Sequence, residues 1–171
     1  MIENSENGFS RLIRDSVTES MHLVHVPDDI KRVLAIHPEL GHLAEEKCYD
    51  MGMLYKGKYA AIELKNVKDA LTFNINKLEK HQIKNLKQAV KCGGLGYCLV
   101  RFKLGLNPKE QKRLQTDKHA IDICYAIDIK WLSRQKETSF PIEVLQKECF
   151  EVPFTKSTKR YDLRVLWPAK R

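Results

Sequence analysis

No CxxC pair occurs among the five cysteines, Cys48, Cys92, Cys98, Cys124 and Cys149. An odd, scattered set excludes a disulfide framework and a zinc ribbon, and reads as reduced thiols. No apolar run approaches bilayer length, which excludes a membrane-spanning helix. The opening MIENSENGFSR lacks the basic-then-apolar layout of a secretory signal. A cytoplasmic setting is therefore expected (the host's cytoplasm, for a viral chain). There is no GxSxG elbow and no P-loop, so serine hydrolysis and nucleotide hydrolysis have no motif. Six histidines are present without an HExxH, HxH or Cys/His cluster. His22, His25, His37 and His42 thus read as structural or surface residues. Internal repeats and low-complexity tracts are also absent.

What is there is a chain of 171 residues with 43% hydrophobic and 30% charged content. That suits a single globular domain over residues 1–171. The charge is lopsided: 30 Lys and Arg stand against 22 Asp and Glu, a formal +8. Residues 1–50 hold 5 basic and 10 acidic groups, whereas residues 51–171 hold 25 and 12. A basic body implies a polyanion partner, with nucleic acid ahead of a membrane surface because no amphipathic anchor stands out. The basic C-terminal tail from about Lys156 is expected to be mobile in part.

Periodicity places the elements. Phe9, Leu12, Ile13 and Val17 predict a helix over 8–20, and Asp28-Asp29 starts a second that ends near Pro38 and Gly41. Residues 48–65 read as a hairpin around Lys56-Gly57-Lys58. Residues 77–91 form the clearest helix, stopped by Gly93-Gly94. Leu95–Phe102 reads as a buried strand, and the alternating Ile121, Ile123, Tyr125, Ile127 and Ile129 as another. Asn107-Pro108 begins a short basic helix and Ser139-Phe140-Pro141 a further one, to about Glu148. Helices flanking a small mixed sheet make the expected fold α/β.

The hairpin carries the chemistry. With Lys56-Gly57 as a two-residue turn, Tyr55 pairs with Lys58 and, by the same count, Asp50 faces Glu63. Residues opposed in this way have β-carbons about 4.5–5.5 Å apart. Two carboxylates there repel each other, which is poor for stability and good for gripping a divalent cation. Mg²⁺ takes oxygen ligands at roughly 2.0–2.1 Å and accepts few carboxylates alongside water. The strand period of two puts Tyr59, Ala61, Glu63 and Lys65 on one face, and Ala60, Ile62 and Leu64 on the other. Lys65 therefore joins the acid pair. Acids, a metal and a lysine suit phosphodiester hydrolysis, the lysine orienting water or offsetting transition-state charge. Glu-x-Lys by itself is a common surface-strand pattern.

The stretches CYDMGMLYKGKYAAIELK and LTFNINKLEKHQIKNLKQAVKCGGLGYCLVRF resemble the core of the RecU-type Holliday junction resolvases, of the PD-(D/E)xK nuclease superfamily. The likeness rests on Asp50, the turn before KGKY, Glu63-Leu64-Lys65, the Phe73 segment, His81-Gln82 and the glycine-then-strand run to Phe102. It is weaker through SFPIEVLQKEC and Arg160-Tyr161-Asp162, and poor over residues 20–47. The resemblance implies a restriction-endonuclease-like core, a mixed β-sheet flanked by helices. It implies a Mg²⁺ site (Mn²⁺ substituting) and a homodimer that nicks branched DNA symmetrically. By the same carry-over Asp50 and Glu63 bind metal, the Leu64 carbonyl adds a ligand, and Lys65 and Gln82 serve catalysis. The family's first-helix glutamate falls on Ser10 here. Glu6, Asp15 or Glu19 substitutes only if the register shifts, so this acid stays unassigned.

Lys80, Lys84, Lys87 and Lys91 form one stripe on the 77–91 helix, either a solvated face or a phosphate-neutralising one. Arg101 joins the candidate DNA contacts. Lys56 and Lys58 at the hairpin tip are exposed candidates near the metal. Trp131 and Trp167 read as packing residues. The open rivals are a nuclease of the same fold acting on flaps, forks or duplex DNA, and a non-catalytic binder of branched nucleic acid.

Overall fold

Both central residues of the Lys56-Gly57 turn take the left-handed backbone, with φ of 49° and 72°. That is the primed turn whose twist matches a tight antiparallel hairpin, and Gly57 adopts it without steric cost. The turn sets the register of the strands around it. Our computed structural model describes residues 6–25 and 49–167. The helix expected from Asp28-Asp29, together with His37, His42 and Cys48, lies outside the described residues.

The turn joins β2 (Met51–Tyr55) to β3 (Lys58–Val67). Their pairing runs from Tyr55↔Lys58 to Met51↔Ile62, the expected count. β1 (Met21–His25) adds to the outer side of β2, antiparallel. On the other side β3 pairs in parallel with β5 (Leu95–Gly105), followed antiparallel by β6 (Ala120–Asp128) and the short β8 (Phe150–Glu151). Among the described residues this is one mixed sheet in the order β1-β2-β3-β5-β6-β8. A small pair, β4 (Thr72–Asn74) with β7 (Ser139–Pro141), stands apart from it.

A parallel pair needs a crossover, and α2 (Lys80–Lys91) supplies it. Alternation along β3 divides the molecule into two cores. Ala61 and Val67 pack with Cys98, Val100, Phe102 and Leu86 of α2. Ala60, Ile62 and Leu64 pack on the opposite face with Phe9 and Ile13 of α1 (Glu6–Asp15). The mixed sheet flanked by helices is the expected α/β architecture. Burying a side chain such as Phe9 or Ile62 contributes about 1.5–3 kcal/mol each.

Several expectations are corrected. The first helix ends at Asp15 rather than near residue 20, and Met21–His25 is a strand instead. The Ser16 hydroxyl turns back to the Leu12 carbonyl at 2.6 Å, while its oxygen accepts the Tyr161 amide at 2.7 Å, so this side chain closes the helix and ties it to the C-terminal segment. That segment is not simply a basic tail. β9 (Phe154–Thr155) pairs with β10 (Arg160–Tyr161), and Tyr161, Leu163 and Leu166 are buried against α1 and the sheet. Trp167 packs on Tyr55 and its indole donates to the Lys58 carbonyl at 2.9 Å, clamping the hairpin tip. Trp131 packs against Phe140 with the rings tilted at 56°. Cys92, Cys98, Cys124 and Cys149 are free thiols.

Candidate metal centre

The expected ladder pair of Asp50 with Glu63 is corrected: β2 stops at Met51, opposite Ile62, and the chain leaves the ladder there. The Leu64 amide then donates to Asp50 Oδ2 at 2.8 Å, so a side chain continues the pairing that the backbone gives up. This bond fixes one carboxylate of the acid pair. Glu63 projects from the face of β3 that packs beneath α2 and is 1% exposed. Its Oε1 accepts from Lys65 Nζ at 2.8 Å and from Gln82 Nε2 at 2.7 Å. Its Oε2 is buried and meets no hydrogen-bond donor among the described residues.

Gln82 holds two places at once. At the third position of α2 its Oε1 accepts the Glu79 amide at 3.0 Å, half of a capping box, while its Nε2 reaches Glu63. The amide is thereby locked between helix start and acid. His81 beside it places Nδ1 3.2 Å from Glu79 Oε2.

The electrostatics follow from burial. Desolvation, and then the charge of Asp50, push the Glu63 carboxyl up to about 7. Burial disfavours the Lys65 ammonium, but its hydrogen bond to Glu63 and the negative charge of Glu63 and Asp50 outweigh that and raise its pKa. Lys65 thus remains a cation beside an acid that ionises only near neutrality.

These groups fit a hard divalent cation. A buried carboxylate oxygen without a donor, next to a second carboxylate, is an arrangement that a bound cation relieves. Among the described residues no cluster of three or more His, Cys, Asp or Glu side chains is formed.

Asp50, Glu63, Lys65 and Gln82 therefore come together, around the backbone of Leu64. The Lys80, Lys84 and Lys87 side chains are exposed on α2. Lys56 and Lys58 are also exposed, but the tip is not beside the acids. Lys58 lies five residues down β3 from Glu63, about 16 Å at ~3.3 Å per residue. Arg101 is corrected outright. It is 1% exposed, with Nε and one Nη each 2.7 Å from the Asp122 carboxylate and its guanidinium over the Phe9 ring. A guanidinium enclosed in that core is not presented to a phosphate. α1 packs on the sheet face opposite Glu63, and Asp15 there pairs with Arg11 at 3.8 Å. Sequence reasoning passed over Tyr49, whose hydroxyl is 2.6 Å from that of Tyr59. An isolated tyrosine before the acid gave no signal of that partner.

The sheet and its acid–acid–lysine cluster define an α/β protein with a candidate cation centre at the root of its central hairpin. The profile of the RecU family, Recombination protein U, matches residues 22–162. The chain belongs to the RecU family. It is 27% identical over 109 residues to a Holliday junction resolvase RecU of Geobacillus kaustophilus, covering 60% of this chain and 54% of that one. A Holliday junction resolvase RecU of Oceanobacillus iheyensis is 25% identical over 138 residues, 77% of this chain and 60% of the relative. The chain thus spans little more than half the length of these relatives. Among solved structures it is similar to Hjc, a Holliday junction resolvase from Archaeoglobus fulgidus, with TM-score 0.43 and 16% identity, covering 77% of this chain and 83% of that one. No helix among the described residues is long and apolar enough to cross a membrane.

Proposed function

We propose that this chain is a Mg²⁺-dependent endonuclease that hydrolyses phosphodiester bonds in branched DNA, four-way (Holliday) junctions above all. Mn²⁺ substitutes for Mg²⁺. Two copies form a homodimer, because symmetric nicks on a two-fold junction require two centres related by the same symmetry. The observation that carries the reading is the buried, donorless Oε2 of Glu63 beside Asp50.

Asp50 and Glu63 hold the cation, with the Leu64 carbonyl as a further ligand. A cation held there would supply Lewis-acid polarisation of the scissile phosphate. The chain's own groups do the rest. The Leu64 amide holds Asp50, and Gln82 holds Glu63, so neither acid must reorganise when the substrate arrives. Lys65, kept cationic by the acids, orients the attacking water and offsets negative charge on the pentavalent phosphorus. Lys56, Lys58, Lys80, Lys84 and Lys87 neutralise phosphates of the DNA arms.

The test is incubation with an immobile four-way junction, with and without Mg²⁺, read on a denaturing gel. Paired nicks at symmetric positions are expected only with the cation. Mg²⁺-dependent nicking retained by the Asp50→Asn/Glu63→Gln double variant rejects the site. A junction that is bound yet never nicked, with no Mg²⁺ uptake by calorimetry, leaves a binding protein instead. Flap, fork and linear duplex substrates run alongside decide the preferred DNA.

A further inference from the structure

A recess of 340 Å³ opens between the β2–β3 hairpin and the flank of α2. Its lining includes Tyr49, Tyr59, Asn85, Gln88, Ala89 and Gly94. We propose that this recess takes one unstacked nucleobase of the strand being cut, and that Asn85 and Gln88 read its edge. The proposal rests on the endonuclease reading and names the sequence-determining subsite of that same centre.

Position is the first argument. Tyr49 directly precedes the acid Asp50, and Tyr59 lies on the Glu63 face of β3, four residues toward the tip. That is about 13 Å along the strand, a few nucleotide steps from the cation centre. The recess thus lies between the acids and the exposed Lys56 and Lys58.

Chemistry is the second. Asn85, Gln88 and Cys92 recur at spacings of three and four, on a flank of α2 distinct from both the buried Leu86 side and the lysine stripe. The Asn85 carboxamide has no hydrogen-bond partner among the described residues. Gln88 makes only a 3.5 Å contact to Cys92 Sγ. Two carboxamides with spare donors and acceptors offer the bidentate pattern that matches a base edge. Tyr49 and Tyr59, edge to face with centroids 6.4 Å apart, add aromatic rings to the same lining, and any base can stack on such a ring.

Construction is the third. A Cβ on Gly52 would come 2.1 Å from the Tyr59 hydroxyl, so the glycine is what lets the Tyr59 ring lie across β2 to meet Tyr49. The volume is at the low end of small-ligand recesses, ~300–1,000 Å³, and suits a single ring system. A base enters such a site only out of its stack, at a cost of a few kcal/mol that is least for an unpaired or mismatched base.

The experiment compares nicking across four-way junctions that vary the four bases at each position flanking the cut. Wild-type protein is expected to favour particular bases at one or two positions. Asn85→Ala and Gln88→Ala are each expected to flatten that preference by about 10-fold. Lys130→Ala, an exposed residue outside the recess, keeps it. The readout is a ratio between sequences cut by one enzyme, so a uniform loss of activity does not imitate it. A junction abasic at the read position should be cut equally by wild type and Asn85→Ala. An unchanged sequence profile in both alanine variants, or a persistent difference on the abasic junction, overturns the subsite while leaving the endonuclease reading intact. Protein that nicks no junction at all overturns the endonuclease reading, and the subsite falls with it.

Discussion

The Leu64 amide donates to the Asp50 carboxylate at 2.8 Å, replacing a ladder bond that β2 no longer provides. Fold and candidate chemistry therefore meet in one side chain, and substitutions there separate the two. Asn keeps an oxygen that accepts the same amide and removes the repulsion with Glu63. Asp50→Asn is expected to unfold within about 0.5 kcal/mol of the parent, or above it, in urea without divalent cation. Asp50→Ala strands the amide and should lose about 1–2 kcal/mol. Both should abolish Mg²⁺-dependent nicking, so activity and stability part company only in the Asn variant.

Glu63 gives the pH dependence its sign. Its carboxyl stands at about 7 in the folded protein against 4.5 as its ordinary value, owing to burial and then to Asp50. The folded state therefore holds the proton more tightly than the unfolded one. The stability this contributes is fully present below about pH 4.5 and is lost as pH rises through about 7. The loss is on the order of 3 kcal/mol. Urea midpoints of metal-free protein should fall across that window, and Glu63→Gln should remove the slope. A midpoint that rises over the same interval would contradict the raised acid.

How much of this was legible beforehand depends on the range of the interaction. The hairpin register follows from a Lys-Gly turn and a period of two, both local, and it delivered Asp50, Glu63 and Lys65 to one place. The β1 strand was missed because its partner β2 lies across residues 26–48, and Met21–His25 has no turn chemistry linking the two. The C-terminal segment was hidden by its basic composition, although Tyr161, Leu163 and Leu166 are what the sheet and α1 bury. Gln82 was recognised from resemblance, whereas the capping box in Glu79-Lys80-His81-Gln82 gives the physical reason for its placement. Arg101 shows the limit of counting charge. Leu99 and Arg101 share a face of β5 by parity, and that face is covered by Phe9, so the guanidinium is taken by Asp122 within the fold rather than by a phosphate.

Arg101 and Asp122 should accordingly behave as a structural pair. Arg101→Ala leaves a carboxylate without its two short hydrogen bonds and opens a hole beneath Phe9. Asp122 reaches solvent, so a loss of about 1.5–3 kcal/mol in urea unfolding is expected. Arg101→Met should recover part of it, since an apolar side chain refills the enclosed space beneath Phe9 and Asp122 can be solvated. Junction affinity per folded molecule should not change with Arg101. A selective loss of DNA binding without a loss of stability would return this residue to the interface.

The α2 lysines make the opposite prediction. Lys84 and Lys87 are exposed on the side of the helix away from Leu86, so they add nothing to the core. If each neutralises one phosphate, binding releases one condensed counterion per contact. The slope of log affinity against log salt should then shrink by about 1.8 in Lys84→Ala/Lys87→Ala, equally for all junction sequences. Urea midpoints should stay within about 0.5 kcal/mol of the parent. Fluorescence anisotropy over a salt series measures the slope. An unchanged slope would make the stripe a solvated face and move the phosphate contacts to the hairpin tip, where Lys56 lies in the left-handed turn and Lys58 follows it.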